Sequence, residues 1–329
     1  MVAACAVAGV KVTAPFRHME YRDAIRRYGI DKPDLRFGME LCDVTPHFAA
    51  GREKLRIEGN VQAVVATGAA TYSRKQLDEL GEQAKSLGAR GLYTIKVAAE
   101  GVTSPLDKTL GAEGVAAIVA ATGAKVGDLI VAVSAAEQIP GTDAAALIAG
   151  QLRLSLADRL GVIPKDRWEF LWLTGFPLFE WSASEKTWAS AQHPFTGIVE
   201  ADLDKLESEP QNVRSKGYDL VLNGIELGSG SIRIHSQELQ ARVFARLGLD
   251  EQQRRERFGF FLDALSYGTP PHGGIALGMD RVVAVLGGEK SLREFIAFPK
   301  TTAAQDLMAE APSAVDANQL RDLGIKLSE

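Results

Sequence analysis

Three short apolar runs in the first half of the chain do most to limit its possible folds: VQAVVATG (61–68), GLYTIKV (91–97) and DLIVAV (128–133). Stretches with helical spacing separate them. A strand pattern that keeps giving way to a helix pattern argues an α/β unit. Between the first two runs, Ser73 and Gln76 form a capping-box pattern. Leu77, Leu80, Ala84 and Leu87 then keep one face, and Gly88 supplies a left-handed stop. Further helices fit GAEGVAAIVAAT (111–122) and TDAAALIAGQLRLSLADRL (142–160). Residues 45–158 hold no catalytic constellation. They read as an inserted or appended binding domain, because function resides in sites and not in folds.

The flanking segments have a different character. In residues 1–44, MEYRDAIRRYG (19–29) is a short helical pattern ending at Gly29, and DKPDLRFGMEL (31–41) is extended and charged. Residues 159–329 hold all four tryptophans. Strand-like runs there (EFLWLTGFPLF, YDLVLNGIEL and GGIALGMD) alternate with helical ones. Ser236 can cap a helix whose Leu239, Val243 and Leu247 share a side and which Gly248 ends. EQQRRERFGFFLDAL reads as another amphipathic helix. The expected fold class is α/β (α+β), with a mostly antiparallel sheet and packed helices around an inserted α/β domain.

The totals exclude several classes. The 329 residues are 46% hydrophobic and 24% charged, as in an ordinary soluble globular protein. No apolar run reaches the ~20 residues needed to span a bilayer, so no membrane association is expected. The opening MVAACAVAGVKV has no positive leading segment and is short, so it reads as a helix or strand entering a domain. Cys5 and Cys42 are too few for a disulfide framework and fit a reducing cytoplasm. A net charge of −5 gives no support to nucleic-acid binding, so any such contact would be local.

Four places could carry chemistry. Glu226 ends the run YDLVLNGIEL, where it should be at least half buried, and a buried carboxylate needs a partner, a proton or a metal. Asp219 lies seven positions earlier. That odd spacing puts the two side chains on opposite faces of a regular strand. A bulge at Asn223–Gly224 would bring both to one cation, and two carboxylates with open positions suit Mg²⁺ bridging to a nucleotide. The plainer alternative is an exposed Asp219 and a Glu226–Arg233 ion pair. Arg233, with Ile232 and Ile234 facing the other side, suits two-point binding of a carboxylate over a Gly/Ser run that a ligand could approach closely. It also suits a surface arginine on an edge strand. Arg281 sits in the first turn of the short helix RVVAVL, against the helix dipole, at a cost of ~0.3–1 kcal/mol. Stacking on a base or contact with a phosphate would account for it, as would a pair with Asp280 or Glu226. His193 in AQHPFTG precedes a proline and is therefore extended. A lone histidine of this kind is more often structural than catalytic. No metal-ligand histidine spacing, phosphate-binding loop or nucleophile elbow is present.

Taken together, YGIDKPDLRFGMEL, FPLFE, QHPFTG, YDLVLNGIELGSGSIRIH, FGFFLDALSYGTPPHGGIALGMDR, IAFPKTTAAQDLMAEAP and QLRDLGIKL resemble the C-terminal portion of a bacterial aspartyl-tRNA synthetase. That is a class II aminoacyl-tRNA synthetase, and the likeness covers nearly the whole chain in order and spacing. It implies a division into part of the catalytic domain (1–44), an insertion similar to the GAD domain (45–158), and the rest of the catalytic domain with motif 3 (159–329). It also implies activation of L-aspartate by ATP with Mg²⁺ and transfer to tRNA-Asp, or also tRNA-Asn, in the cytoplasm. GMDR looks like motif 3, which implies ATP contacts at Gly278, Met279, Asp280 and Arg281. Asp219 and Glu226 match the carboxylates that hold the Mg²⁺–ATP. Arg233 matches the arginine that grips the aspartate side chain, with Gln192 and His193 beside it. The family usually has histidine at the position of Gln192. Glutamine cannot carry a positive charge, so aspartate binding or its pH dependence is expected to differ.

In the family, an anticodon-binding domain, motif 1 and motif 2 precede the point matching Met1. FRHME at Phe16–Glu20 has the Phe-Arg of motif 2 but its glutamate is one position too far, and it falls after motif 2. Motif 1 builds the family's homodimer. The expectation is therefore a weak or inactive ligase when this chain stands alone, its dimer in doubt. The alternative is a non-catalytic relative that binds tRNA or a protein through the GAD-like region.

Overall fold

The computed structural model describes residues 1–136, 142–289 and 291–327. It divides into two compact units. The smaller comprises Met1, Ala3–Lys11 and the described residues of Gly278–Glu329; the larger comprises Val2 and Val12–Leu277. The chain opens with helix α1 (Val2–Val7).

The larger unit runs β1 (Arg17–Glu20), α2 (Tyr21–Tyr28), β2 (Cys42–Asp43), β3 (Asn60–Ala66), α3 (Arg74–Ser86), β4 (Gly91–Ala98), β5 (Gly101–Thr103), α4 (Asp107–Thr122), β6 (Leu129–Ala135) and α5 (Ala144–Leu160). It continues β7 (Phe170–Thr174), β8 (Phe179–Ser182), β9 (Thr187–Ser190), β10 (Gly217–Leu222), β11 (Ile225–Ile232), α6 (Gln237–Arg246), α7 (Glu251–Ser266) and β12 (Gly273–Leu277). These strands form two five-stranded sheets and a β8–β9 hairpin.

The alternation that opened the sequence builds the sheet β2-β3-β6-β4-β5, in which every neighbouring pair is antiparallel. β3 and β4 run parallel to each other with β6 between them, so α3 is the crossover of a split β-α-β unit. Local signals fix its helices. Ser73 and Gln76 close the capping box on α3, and Gly88 follows with φ +96°. Asp143 caps α5 by accepting from the Ala146 N–H at 3.0 Å, and Gly161 ends it with φ +64°. α4 starts four residues before the sequence pattern, because Gly111 (φ 70°, ψ 171°) interrupts an extra turn. β6 is buried along its whole length because both faces of the sheet are covered. Val64, Leu129, Val131 and Val133 pack on α3 and α5; Ala63, Ile95 and Ile130 pack on α4 and Phe48.

The other sheet has the order β1-β7-β10-β11-β12; β1 is parallel to β7 and the remaining pairs are antiparallel. α2 covers part of it, where Met19, Ala24, Tyr28, Leu35, Leu171, Leu173 and Val221 form one core. α6 is capped by Ser236 at the Leu239 N–H as its sequence predicts. Two runs that read as single strands are broken. EFLWLTGFPLF divides into β7 and β8, because Gly175 (φ +68°) turns the chain while Phe176 and Leu178 stay buried in the connection. YDLVLNGIEL divides into β10 and β11 at Asn223 (φ +52°) and Gly224 (φ +84°), the two left-handed residues of a tight hairpin turn.

The smaller unit contains α1, α8 (Met279–Gly287) and α9 (Ala317–Asp322), with Cys5, Val282 and Ala284 buried. Among the described residues no helix is long and apolar enough to cross a membrane.

Inside the larger unit, α5 meets α2 backbone to backbone. A Cβ on Gly150 would lie 2.5 Å from the carbonyl oxygens of both Gly29 and Tyr28. Gly→Ala within a helix ordinarily stabilises by up to ~1 kcal/mol. Here the sign reverses: Gly150→Ala is expected to destabilise by about 1–3 kcal/mol, because neither backbone can yield without moving a helix. Denaturant melts of the two proteins check this, and a more stable variant would contradict the close contact.

Candidate active site

The register of β10 and β11 decides which side chains share a face. Gly217 pairs with Ser231, Asp219 with Ser229 and Leu220 with Gly228, but Val221 pairs with Glu226. Leu227 is therefore an extra residue on β11, a bulge opposite the Leu220–Val221 step. Without it, Leu220 would face Leu227 and Asp219 would face Gly228, so Ser229, Ser231 and Arg233 would turn to the other side, while Glu226 keeps its place opposite Val221 beside the turn. With it, Asp219 and Glu226 stand on one face, together with Ser229 and Ser231, and Arg233 follows in the same alternation. The sequence reading required a bulge and put it at Asn223–Gly224. That dipeptide is the hairpin turn, and the bulge lies at Leu227, whose fully buried side chain anchors it.

The same register corrects the reading of the Gly/Ser run. Gly228 and Gly230 alternate onto the opposite face, where β12 crowds them: a Cβ on Gly230 would sit 2.2 Å from the Gly274 carbonyl oxygen. Those glycines admit a neighbouring strand, not a ligand. The low floor on the Asp219 side is made by Gly217, Ser229, Ser231, Gly274 and Ala276. A Cβ on Gly274 would meet nothing within 4 Å, so this floor is open.

Two loops border it. On one side, Pro194–Gly197 runs beside Ile232–Ile234: the Ile234 N–H donates to the Phe195 carbonyl and the Gly197 N–H to the Ile232 carbonyl. Gln240 of α6 donates to the Pro194 carbonyl at 2.7 Å, and Phe195 is held among Phe244, Phe258 and Phe261. This fixes His193 against Arg233, whose guanidinium lies 3.0 Å from Nδ1 and also touches Nε2. Nδ1 accepts from the Phe195 N–H at 3.2 Å. Burial, then the Arg233 charge, push the His193 pKa down, so the ring is neutral at physiological pH. Gln192 is exposed, and its Oε1 would be 3.0 Å from a Cβ on Gly217. Glutamine and histidine thus both border the floor. Ile232 is 41% exposed on the face away from Arg233, while Ile234 is buried in the core below α6.

On the other side lies loop 30–36, anchored by buried Leu35 and Asp34. Asp219 is itself buried, and its Oδ1 has no hydrogen-bond partner among the described residues. Its pKa is pushed up to about 6, chiefly by burial, against a Ser229 hydrogen bond that lowers it; the charges of Glu226 and Asp31 raise it further and Lys32 lowers it. A buried, unsatisfied carboxylate oxygen next to a second carboxylate is a hard-oxygen donor set that fits Mg²⁺. Among the described residues no group of three or more His, Cys, Asp or Glu could hold a metal, so the remaining positions would fall to ligand and water.

Gly278, Met279, Asp280 and Arg281 belong to the smaller unit. Gly278 is the N-cap of α8 without a side-chain cap; Asp280 and Arg281 occupy its exposed first turn. The larger unit therefore gathers Asp219, Glu226, Arg233, Gln192 and His193 around one floor, and the smaller holds the remaining four at one helix start. Sequence reasoning missed Gln240, Asp34 and Arg153, which hold the bordering loops. Arg153 left a signal: it is a charge inside the otherwise apolar IAGQLRLSL.

The family of class II tRNA synthetases (D, K and N) matches residues 2–302, and the chain belongs to it. The aspartate–tRNA(Asp/Asn) ligase of Nitratidesulfovibrio vulgaris is 50% identical over 322 residues, covering 98% of this chain and 52% of that protein. The aspartate–tRNA ligase of Staphylococcus aureus is 44% identical over 327 residues, covering 98% and 55%. The chain thus spans about half the length of these relatives. Among solved structures, the aspartyl tRNA synthetase from Entamoeba histolytica aligns with 46% of this chain and 26% of its own, at 21% identity and a TM-score of 0.32, too distant to inform the site.

The raised pKa of Asp219 has a stability consequence. Between about pH 4 and pH 6 the folded chain holds a proton that the unfolded chain has released, so stability falls as pH rises through that window and stays lower above it. Asp219→Asn removes this penalty. It is expected to stabilise the chain by about 2 kcal/mol at pH 7–8, with little difference from the parent at pH 4. Thermal melts across pH check it; an equal gain at both ends would contradict the assigned burial.

Proposed function

We propose that this chain carries the aspartate- and ATP-binding floor of an aspartate–tRNA ligase. The observation that carries the reading is the bulged β10–β11 hairpin, which gathers two carboxylates and one arginine above a floor of small residues. The relatives support it, since they are named as ligases.

Arg233 binds the side-chain carboxylate of aspartate in two-point fashion. Neutral His193 holds the guanidinium in place without competing for the anion, and Gln192 closes the border of the floor by hydrogen bonding. Asp219 and Glu226 would hold Mg²⁺, which when bound offsets charge on the ATP phosphates. The resemblance to the family also implies ATP contacts at Gly278, Met279, Asp280 and Arg281. In the reaction an α-carboxylate oxygen of aspartate bonds to the α-phosphorus of ATP, the bond from that phosphorus to the bridging oxygen breaks, and pyrophosphate leaves. A terminal hydroxyl of tRNA-Asp, or also of tRNA-Asn, then bonds to the aspartyl carbonyl carbon, the bond from that carbon to the phosphate oxygen breaks, and AMP leaves. The residues act by orienting two anions and by electrostatic preorganisation.

A non-reactive aspartyl-sulfamoyl adenosine tests the binding reading on the chain as it stands. It is expected to raise the melting temperature of the parent by several degrees. Arg233→Met should abolish the shift. No shift at saturating analogue in the parent would refute the assignment. Gln192→His should tighten aspartate binding as pH falls through about 6, where histidine gains its charge, with little change at pH 8. Calorimetric titrations at the two pH values check this.

A further inference from the structure

The mechanism above leaves the fully buried charge of Arg153 unused. Arg153 lies on α5, which packs on the β2-β3-β6-β4-β5 sheet, and is 0% exposed. Its guanidinium donates to four consecutive-region carbonyls: Nη2 to Asp34 at 2.8 Å, Phe37 at 3.1 Å and Gly38 at 2.9 Å, and Nε to Met39 at 3.0 Å. It also sits over the rings of Phe37, at 4.1 Å, and Tyr28, at 4.9 Å. Burial lowers its pKa only to about 10, so it stays charged at neutral pH. A side chain that spends its donors on loop carbonyls fixes the path of that loop.

The loop in turn touches the site. Asp34 packs on the β10–β11 turn, where a Cβ on Gly224 would lie 3.2 Å from the Asp34 Cβ. The Asp34 carboxylate holds Arg36 in two-point fashion, at 2.6 Å for the shortest bond. The Arg36 carbonyl accepts from Arg167 at 3.2 Å, and the Asn223 side chain of the same turn donates to the Arg167 carbonyl at 3.0 Å. Both routes run from the loop to the turn that sets Asp219 and Glu226 on their face.

We infer that Arg153 is a positioning residue, through which α5, packed on the β2-β3-β6-β4-β5 sheet, fixes loop 34–39, the Asn223–Gly224 turn and hence the two carboxylates. The inference rests on the nucleotide-binding reading only for its functional consequence; the mechanical link stands apart from it. The link couples the β2–β6 sheet, which carries no site residue of its own, to the ATP end of the floor and not to the Arg233 end.

Arg153→Lys keeps the charge and loses the fork. Amide exchange and Mg²⁺–ATP titration of the parent and this variant test the link. The expected result is faster exchange, by about tenfold or more, in residues 34–39 and also in 223–227, with β3 and β6 unchanged. Mg²⁺–ATP affinity should fall by about tenfold, as for loss of an outer-shell support, while aspartate affinity changes less than about twofold. Faster exchange in 34–39 alone, with 223–227 unchanged, would overturn the inference. If the parent does not bind Mg²⁺–ATP, the functional reading fails while the exchange data still decide the link. Should Arg153→Lys not fold, Gly224→Ala probes the contact from the other end. Exchange that rises in both segments supports the link, and a rise confined to 223–227 overturns it.

Discussion

One extra residue on one strand sets the chemistry of the larger unit. Glu226 and Arg233 are an odd number of positions apart on one strand, and a regular ladder would put them on two faces of the sheet. The bulge at Leu227 removes one step from that count, while the Asn223–Gly224 turn sets Glu226 opposite Val221 and so on the Asp219 face. It is stable because Leu227 is fully buried and Leu220, Val221 and Leu222 around it are nearly so. Apolar packing thus supplies the free energy that holds the Asp219 carboxylate in a buried place. Its Oδ1, which no described residue satisfies, is the clearest sign of that cost. A cation and an anionic ligand would relieve it, which is the usual relation between a strained site and its function.

The bordering elements share one logic. The floor is made of small residues and cannot orient anything by itself. Orientation comes from loops pinned by buried polar side chains: Gln240 on the carbonyl of Pro194, and Arg153 on the carbonyls of loop 34–39. Each reaches a loop from a neighbouring helix, so the precision of the site depends on how α6 and α5 are docked. The close approach of Gly29 and Gly150 shows how little slack the second docking has.

Much of this was legible in the sequence where the signal is local. The Ser73 capping box, the Asp143 to Gly161 helix and the Ser236 cap follow from residues within a few positions of each other. The candidate residues of the larger unit do meet on one floor. What was not legible depends on pairing between distant segments. Asn-Gly in an apolar run signals a hairpin as well as a bulge, and only the β10–β11 register decides between them. The glycines of the GSGS stretch looked like room for a ligand, whereas the backbone of β12 fills that room. The antiparallel pairing of β6 between two parallel strands likewise leaves no trace in a strand–helix alternation.

The central claim is that the β10–β11 hairpin sets Asp219 and Glu226 on one face to share one metal–nucleotide. Carbon-detected NMR of side-chain carboxyl groups, with Mn²⁺–ATP titrated into the chain, tests it directly. Paramagnetic broadening should strike Asp219 and Glu226 together at the lowest Mn²⁺–ATP additions and leave the carboxylates of the distant β2–β6 sheet sharp. Broadening of one of the pair without the other would contradict the account.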